Sequence, residues 1–184
     1  MLFYVLINII VALIGICAVF YLLFRLFAWR QGDAHFVIES RKRKPFVLKK
    51  ISTDTAVFET EVPFRNTGKQ GGTIMDFYPR HLLPYEQYDK CIVHSQLANK
   101  AAERDDGYWE SVIILPGKGG HIRVTVELIS KNGNIKQDLR TFPDMSIDLV
   151  YQVVARSEWY IHKARITLKA SEVQHALKSI WEEK

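Results

Sequence analysis

Histidine and cysteine side chains are the first candidates for chemistry in this chain, which has six histidines and two cysteines among 184 residues. Zinc sites usually take ligands from short local spacings such as CxxC or HxxxH, and neither spacing occurs here. The nucleophile motif GxSxG and the phosphate-loop motif GxxxxGK[ST] are also absent from the sequence. We therefore predict no catalytic residue, no metal and no cofactor, and we interpret His162 as a hydrogen-bonded core residue.

Acidic residues in two segments support an alternative hypothesis. Asp105 and Asp106 in "ERDDGYWE" have oxygen ligands for a hard cation, although their spacing is not that of a calcium-binding loop. The segment "DFYPRHLLPYEQYDK" adds Asp76, Arg80 and His81. The alternative is an enzyme whose site is built from the connection 76–108 by these five residues.

Aromatic and basic side chains are concentrated in the same connection. Tyrosine, tryptophan and arginine are enriched where proteins bind one another, because they combine a large apolar area with hydrogen-bonding groups. An equally simple interpretation is that these side chains cover one end of the fold. The candidate partner surface consists of Tyr78, Arg80, His81, Tyr85, Tyr88, Tyr108 and Trp109.

The first 24 residues, Met1 to Phe24, contain no charged side chain. As a helix they would extend about 36 Å, which is enough to cross a hydrocarbon core of about 30 Å. A cleaved secretory signal has a shorter apolar core, and Ile16 does not fit a lipoprotein cleavage site at Cys17. We predict a single transmembrane helix at residues 1–28.

Basic residues follow this segment closely. Residues 25–50 contain eight basic and two acidic residues, whereas residues 51–184 contain 17 basic and 18 acidic. The positive charge therefore belongs to the membrane-flanking segment, and no basic face for nucleic acid is predicted. The predicted partners are the bilayer, its anionic head groups and an unidentified protein; the alternative for the basic residues is a topology signal alone. The candidate membrane-surface contacts are Arg25, Arg30, Arg41, Lys42, Arg43 and Lys44.

The same charges predict orientation. Positively charged flanks tend to remain in the cytoplasm, so we expect a single-pass protein of the cell membrane with its following domain in the cytoplasm. The lone thiol of Cys91, which has no partner for a disulfide within the domain, agrees with a reducing compartment. The alternative is an extracytoplasmic domain.

Alternating apolar and polar residues dominate the remaining sequence and predict a mainly β fold. We expect a basic juxtamembrane segment with the first strands at 29–50 and a β-sandwich with a C-terminal helix at 51–184, forming one globular domain over about 33–184. Helices are predicted at 95–104, as a short insertion, and after Ser171. The predicted strands are 35–40, 45–51, 55–64, 72–78, 108–115, 121–130, 134–139, 146–155 and 159–169.

A predicted strand, an Asn-x-Gly turn and a second strand follow the predicted membrane helix in the segment "FETEVPFRNTGKQGGTIMDFYPRHLLP". This arrangement resembles membrane-tethered immunoglobulin-like or fibronectin-like β-sandwiches, including the late-embryogenesis-abundant type 2 class. The resemblance implies an antiparallel sandwich that binds or assembles. We therefore expect a single-pass, membrane-anchored, non-catalytic binding or assembly module; the alternative is a membrane-bound enzyme with its site at 76–108.

Overall fold

A computed structural model describes residues 1–102, 104, 106–156 and 159–182, except for the side chains of residue 2 and of residues 179–182. The chain begins with helix α1 (Leu2–Gln31), whose described side chains are exposed along almost its whole length. A helix that displays apolar side chains on all sides cannot satisfy them by packing on its own domain. Over Phe3–Gln31, α1 is long and apolar enough to span a membrane.

Nine strands and two shorter helices follow α1 in the described part of the chain. Short 3-10 turns lie at Ser40–Lys42 and Leu139–Thr141, and the helices are α2 (Ile135–Asp138) and α3 (Ala170–Glu182). The strands are β1 (Phe36–Ile38), β2 (Val47–Ile51), β3 (Thr55–Asn66), β4 (Gly72–Leu82), β5 (Cys91–Asn99), β6 (Val112–Ile114), β7 (Gly119–Ser130), β8 (Met145–Val154) and β9 (Trp159–Leu168).

The strands form two antiparallel sheets. In the first sheet, β1 and β2 lie along the same edge of β3, followed by β7 and β5. In the second sheet the order is β6-β4-β8-β9. If β1 and β2 are taken together as strand A, the two orders correspond to the ABED and CFG sheets of an immunoglobulin-like sandwich, with β6 added. The predicted fold class is confirmed: mainly β, with an N-terminal apolar helix and a C-terminal helix.

Alternation along the strands creates the core between the sheets. In β3, Phe58, Val62 and Phe64 are buried while the residues between them face outward. The indole of Trp109 fills the same core from the connection between β5 and β6, with its ring centroid 4.9 Å from that of Phe77. Its Nε1 donates to the carbonyl of Ile74 at 3.3 Å, so the polar atom is satisfied inside the core.

Three secondary-structure predictions were wrong. Residues 76–108 are not one connection, because β4 runs to Leu82 and β5 occupies Cys91–Asn99. The described residues of 95–104 do not form a helix: β5 pairs with β7 as far as Asn99, and Leu97 is buried at an inward position of the strand. Pairing along nine residues outweighs the modest helix propensity of this segment. Residues 134–139 are not a strand: Asn134 accepts a hydrogen bond from the backbone N–H of Gln137 and caps α2. A short helix, α2, thus replaces a predicted strand.

The C-terminal helix α3 packs on the sandwich through Val173 and Leu177, which are both buried. It starts at Ala170, so Ser171, after which the helix was predicted, lies inside it. Ile180 and Trp181, further along α3, lie outside the residues whose side chains are described.

Candidate partner and membrane surfaces

Asn66 is the centre of the junction between α1 and the sandwich. It is fully buried, and its Oδ1 accepts from the backbone N–H groups of His35 at 3.1 Å and Gly68 at 2.9 Å. Its Nδ2 donates to the carbonyls of Gln70 at 2.7 Å and Ile114 at 3.1 Å. One amide therefore joins the linker after the helix, the β3–β4 turn and β6.

Further contacts hold the end of α1 in place. The backbone N–H of Lys69 donates to the carbonyl of Asp33 at 2.9 Å, and the backbone N–H of Arg156 donates to the Asp33 carboxylate at 3.1 Å. The guanidinium of Arg156 also donates to the side chain of Gln31, the last residue of the helix. The β3–β4 turn and the β8–β9 connection therefore lie beside the point where the helix ends.

The basic cluster Arg41–Lys44 follows the helix in sequence but lies far from it in space. Arg43 donates to the carbonyl of Thr167 at 2.8 Å, eight residues along β9 from Trp159, which lies at the end nearer α1. At about 3.3 Å per residue, this distance is about 26 Å along the strand. Lys44 is bonded to Glu61, about 17 Å along β3 from Asn66. Of the predicted head-group contacts, only Arg25 and Arg30 belong to the helix itself.

Most of this cluster is engaged within the domain. Arg43 forms a two-point ion pair with Glu172 of α3, at 2.8 and 2.9 Å, with little of either side chain exposed. Lys42 pairs with Glu39 at 3.0 Å and Lys44 with Glu61 at 2.6 Å. Burial raises the pKa of Glu172, but hydrogen bonds from Arg43 and from backbone N–H groups outweigh it and lower the pKa overall. Arg43 fastens α3 to the sandwich.

The predicted partner surface divides into exposed and buried members. Tyr78, Tyr85 and Tyr108 are about half exposed, and the Tyr108 ring lies 5.6 Å from the guanidinium of Arg104. Tyr88 and Trp109 are 4% and 3% exposed, so they are core residues and cannot contribute to a surface. Sequence alone could not separate the exposed from the buried residues, because aromatic side chains occur both in cores and on binding surfaces.

The Tyr88 hydroxyl belongs to a buried polar cluster. It lies 3.2 Å from the Cys91 Sγ and donates to the carbonyl of Asp138 at 3.0 Å. Burial raises the pKa of the Cys91 thiol, which is the opposite of what a nucleophilic cysteine requires. The Asp138 carboxylate accepts from Ser130 and Asn132, so the cluster fixes the β7–α2 connection.

The exposed members Tyr78 and Arg80 border a groove between the two sheets. This groove of about 460 Å³ lies between β4 and β5, and its lining also includes His81, His94 and Gln96. Among the described residues, β5 pairs only with β7, and beyond Ile74 β4 pairs only with β8. The groove is therefore bordered by two sheet edges with free backbone hydrogen-bonding groups.

His81 lines this groove and contacts the opposite strand. Its Nδ1 lies 3.0 Å from the Ser95 Oγ, which joins β4 to β5 across the sandwich. Burial lowers the pKa of His81, and the neighbouring imidazole of His94 lowers it further.

The residues of the enzyme hypothesis have their partners elsewhere. Arg104 binds the carboxylate of Asp106 at 2.6 Å and lowers the pKa of that carboxyl to about 2. Asp76 is exposed at a β-bulge with a φ of 47°, His81 contacts Ser95, and Asp105 lies outside the described residues. Within the part of the chain that the structure describes, no group of three or more His, Cys, Asp or Glu side chains is placed to hold a metal ion.

His162 is not the core residue that its strand position suggested. Its ring stacks on Tyr151 with centroids 5.9 Å apart, on the inward side of β9, but β9 is an edge strand and the imidazole is exposed. Its Nδ1 accepts from the backbone N–H of Lys163 at 3.0 Å.

Sequence reasoning missed a group of exposed apolar residues on the second sheet, near the end of α1. The signal was present: in "SEWYIHKARITLKA" both strand faces are apolar at Trp159–Ile161, and "VIIL" is apolar throughout. The group, which we call the outer apolar patch, consists of Ile113, Leu115, Val154, Trp159 and Ile161, exposed by 73%, 60%, 40%, 61% and 60%.

Comparisons with known proteins give no family. No family model matches the chain, and no curated protein matches it. Among solved structures, it is similar to the putative ApaA protein from Bordetella pertussis, with 11% identity, a TM-score of 0.42, and coverage of 74% of this chain and 94% of that one. It is also similar to the GAE domain of GGA2p from Saccharomyces cerevisiae, with 15% identity, a TM-score of 0.35, and coverage of 74% and 98%. Likeness this low carries no argument about function, and the late-embryogenesis-abundant type 2 resemblance stays a prediction.

Proposed function

We propose that this protein is a single-pass, membrane-anchored β-sandwich that acts as a non-catalytic binding or assembly module. The observation that carries the proposal is an apolar helix whose end contacts the sandwich through Arg156 and Gln31 and whose following linker is held by Asn66. A catalytic role is less well supported, because Asp106 is engaged by Arg104 and His81 by Ser95.

The groove between β4 and β5 is the proposed partner site. An extended segment added beside β5 would satisfy its free backbone groups, which is the common mode of strand addition. Pro79 lies in β4 and lacks a backbone N–H, so β5 is the better template. Arg80 borders the groove, and its positive charge favours an acidic segment.

Site-specific photo-crosslinking from the membrane tests the partner site. A photo-reactive residue at Tyr78 should give a discrete crosslinked species that Arg80→Glu removes. The matched control is the same probe at Val47, which is 51% exposed against 52% for Tyr78 but lies on the other sheet. Equal crosslinking from both positions, or insensitivity to Arg80→Glu, would contradict the proposal.

Membrane attachment and orientation need separate tests. The full-length protein should stay in the membrane fraction after a carbonate wash, and its release would contradict anchoring. For orientation we propose the cytoplasmic side, because of the basic residues after the helix. Cys91 is fully buried, so labelling of its thiol cannot show on which side of the membrane the domain lies. A Glu86→Cys variant places an exposed thiol, and its labelling by an impermeant reagent in intact cells would show an extracytoplasmic domain.

A further inference from the structure

The outer apolar patch arises from the register of four strands. On the outer face of the second sheet, Ile113 lies opposite Thr73, Thr73 opposite Val154, and Val154 opposite Trp159. In the next row, Ile161 lies opposite Gln152, whose Oε1 accepts from the indole of Trp159 at 3.1 Å. The four strands therefore bring residues that are distant in sequence into one area, which is apolar apart from Thr73 and Gln152.

The apolar character is confined to one end of this face. Further along β8 and β9, Asp148 is covered by Arg165 at 2.7 Å and Lys163 at 3.4 Å, so that region is charged. The apolar end is the end beside α1, because Arg156, two residues after Val154, contacts both Gln31 and Asp33.

The length of α1 indicates where its last residue, Gln31, lies relative to a membrane. Thirty helical residues extend about 45 Å, whereas a bilayer with its head groups is about 40–45 Å thick. A helix that spans the bilayer therefore ends at Gln31 in the head-group layer. The outer apolar patch begins beside Gln31, because Arg156, two residues after Val154, contacts that residue. Tryptophan favours this layer, since its ring is apolar and its N–H is polar.

Charge favours lipid as the occupant. Lys69 and Lys118 are exposed in the two turns next to Asn66, and positive charges beside an apolar area suit anionic head groups. The patch exposes on the order of 600 Å² of apolar side chain, and an exposed apolar area of this size marks a contact with a partner or a membrane.

We propose that the outer apolar patch, flanked by Lys69 and Lys118, lies in the head-group layer of the bilayer that α1 crosses. The sandwich then rests on the membrane by one end of its second sheet. This inference rests on the anchoring in the proposed function. Arg43 and Lys44 then lie about 26 Å and about 17 Å along the strands from this end, so the membrane contact predicted for Arg41–Lys44 does not form.

Depth-dependent quenching in vesicles of full-length protein tests the inference. Single cysteines replace Ile113 or Ile161 in a Cys17→Ala chain, carry an environment-sensitive dye, and are exposed to lipids with quenchers near the head groups. Both labels should be quenched, whereas a label at Val47 should not. Cys91 remains in place, because its lack of labelling shows that each variant is folded.

Two further arms separate the possible failures. A label at Leu13 tests the helix: without quenching by lipids labelled at the bilayer centre, the anchoring itself fails. If Leu13 is quenched but Ile113 and Ile161 are not, only the present inference is overturned, and shielding from an aqueous quencher would then indicate a protein partner.

The charge of the two lysines is tested separately. Lys69→Gln and Lys118→Gln should each lower the ratio of protein with a quenched patch to protein with an unquenched patch about fivefold in anionic vesicles. No effect of either would overturn the role of charge.

Discussion

Replacement of Asn66 by alanine should destabilise the sandwich more than any other single change at the helix junction. The substitution removes four hydrogen bonds at a fully buried position and leaves two N–H groups and two carbonyls without their partner. An unsatisfied buried group costs about 1–3 kcal/mol, and water can reach some of these groups through the adjacent turn. We expect a loss of about 3 kcal/mol in the free energy of unfolding.

Cys91 provides the assay for full-length protein in membranes. Its thiol is buried in the folded sandwich, so pulse labelling at increasing urea concentrations reports the unfolded fraction in a Cys17→Ala background. With a urea dependence of about 2 kcal/mol per molar, the midpoint should fall by about 1.5 M. The matched control is Thr67→Ala in the same turn, which loses one exposed hydrogen bond to the carbonyl of His35 and should lower the midpoint by less than about 0.5 M.

Asn66→Asp sharpens this test. The introduced carboxylate keeps the acceptor for the N–H groups of His35 and Gly68 but faces the carbonyls of Gln70 and Ile114, so its pKa should be raised in the folded state. Stability that depends on the protonated form is present at acidic pH and is lost as the pH rises through the folded pKa. The Asn66→Asp variant should therefore have a lower urea midpoint than Asn66→Ala at neutral pH, and its midpoint should rise on acidification. Equal midpoints for Asn66→Ala and Thr67→Ala would refute the reasoning.

Three other changes have defined outcomes. Glu172→Gln should cost about 2 kcal/mol at neutral pH, because it leaves Arg43 without its two-point partner. Since the pKa of Glu172 is lowered, its contribution is present above its unfolded pKa and lost as the pH falls through the folded value, so the variant should show a flatter acid limb in urea titrations. Gly68→Ala places a Cβ against the carbonyl of Asp33, and spin labels on α1 and the sandwich should then show a broader distance distribution. The Cys91 thiol should react with maleimide at least about 1000-fold faster in denaturant than in buffer, and comparable rates would contradict its burial.

The elements that the sequence predicted well are those determined by local composition and period. The uncharged run before Arg25 predicted α1, and strict alternation predicted β3, β7 and β8 within a few residues. The segment that became β5 contains few β-branched residues, and only its pairing with β7 makes it a strand. The strand predicted at 134–139 did not form, because Asn134 caps α2 at that point.

The surfaces could not be predicted in the same way, since they depend on register and on the path of the chain. Ile113 and Trp159 are 46 residues apart in sequence, and they share one row only because β4 and β8 lie between their strands. Conversely, Arg43 follows the helix by only 12 residues, but it contacts Thr167, about 26 Å along β9 from Trp159. Proximity in sequence to a membrane helix is therefore a poor guide to proximity to the membrane. The basic residues can still act as a topology signal, because such a signal acts on the chain before the domain folds.

The two proposals together determine how a partner would meet the protein. If the outer apolar patch lies in the head-group layer, Val154 marks the membrane surface on β8, and Asp148, the neighbour of Arg80, lies six residues further along the same strand. Six residues correspond to about 20 Å along the strand, so Arg80 lies more than a Debye length of about 8 Å from the part of β8 that meets the head groups. The anionic surface is thus screened from Arg80 and does not compete for it. An acidic segment would reach the groove from the aqueous phase, and the rigid junction at Asn66 would keep the groove at that distance.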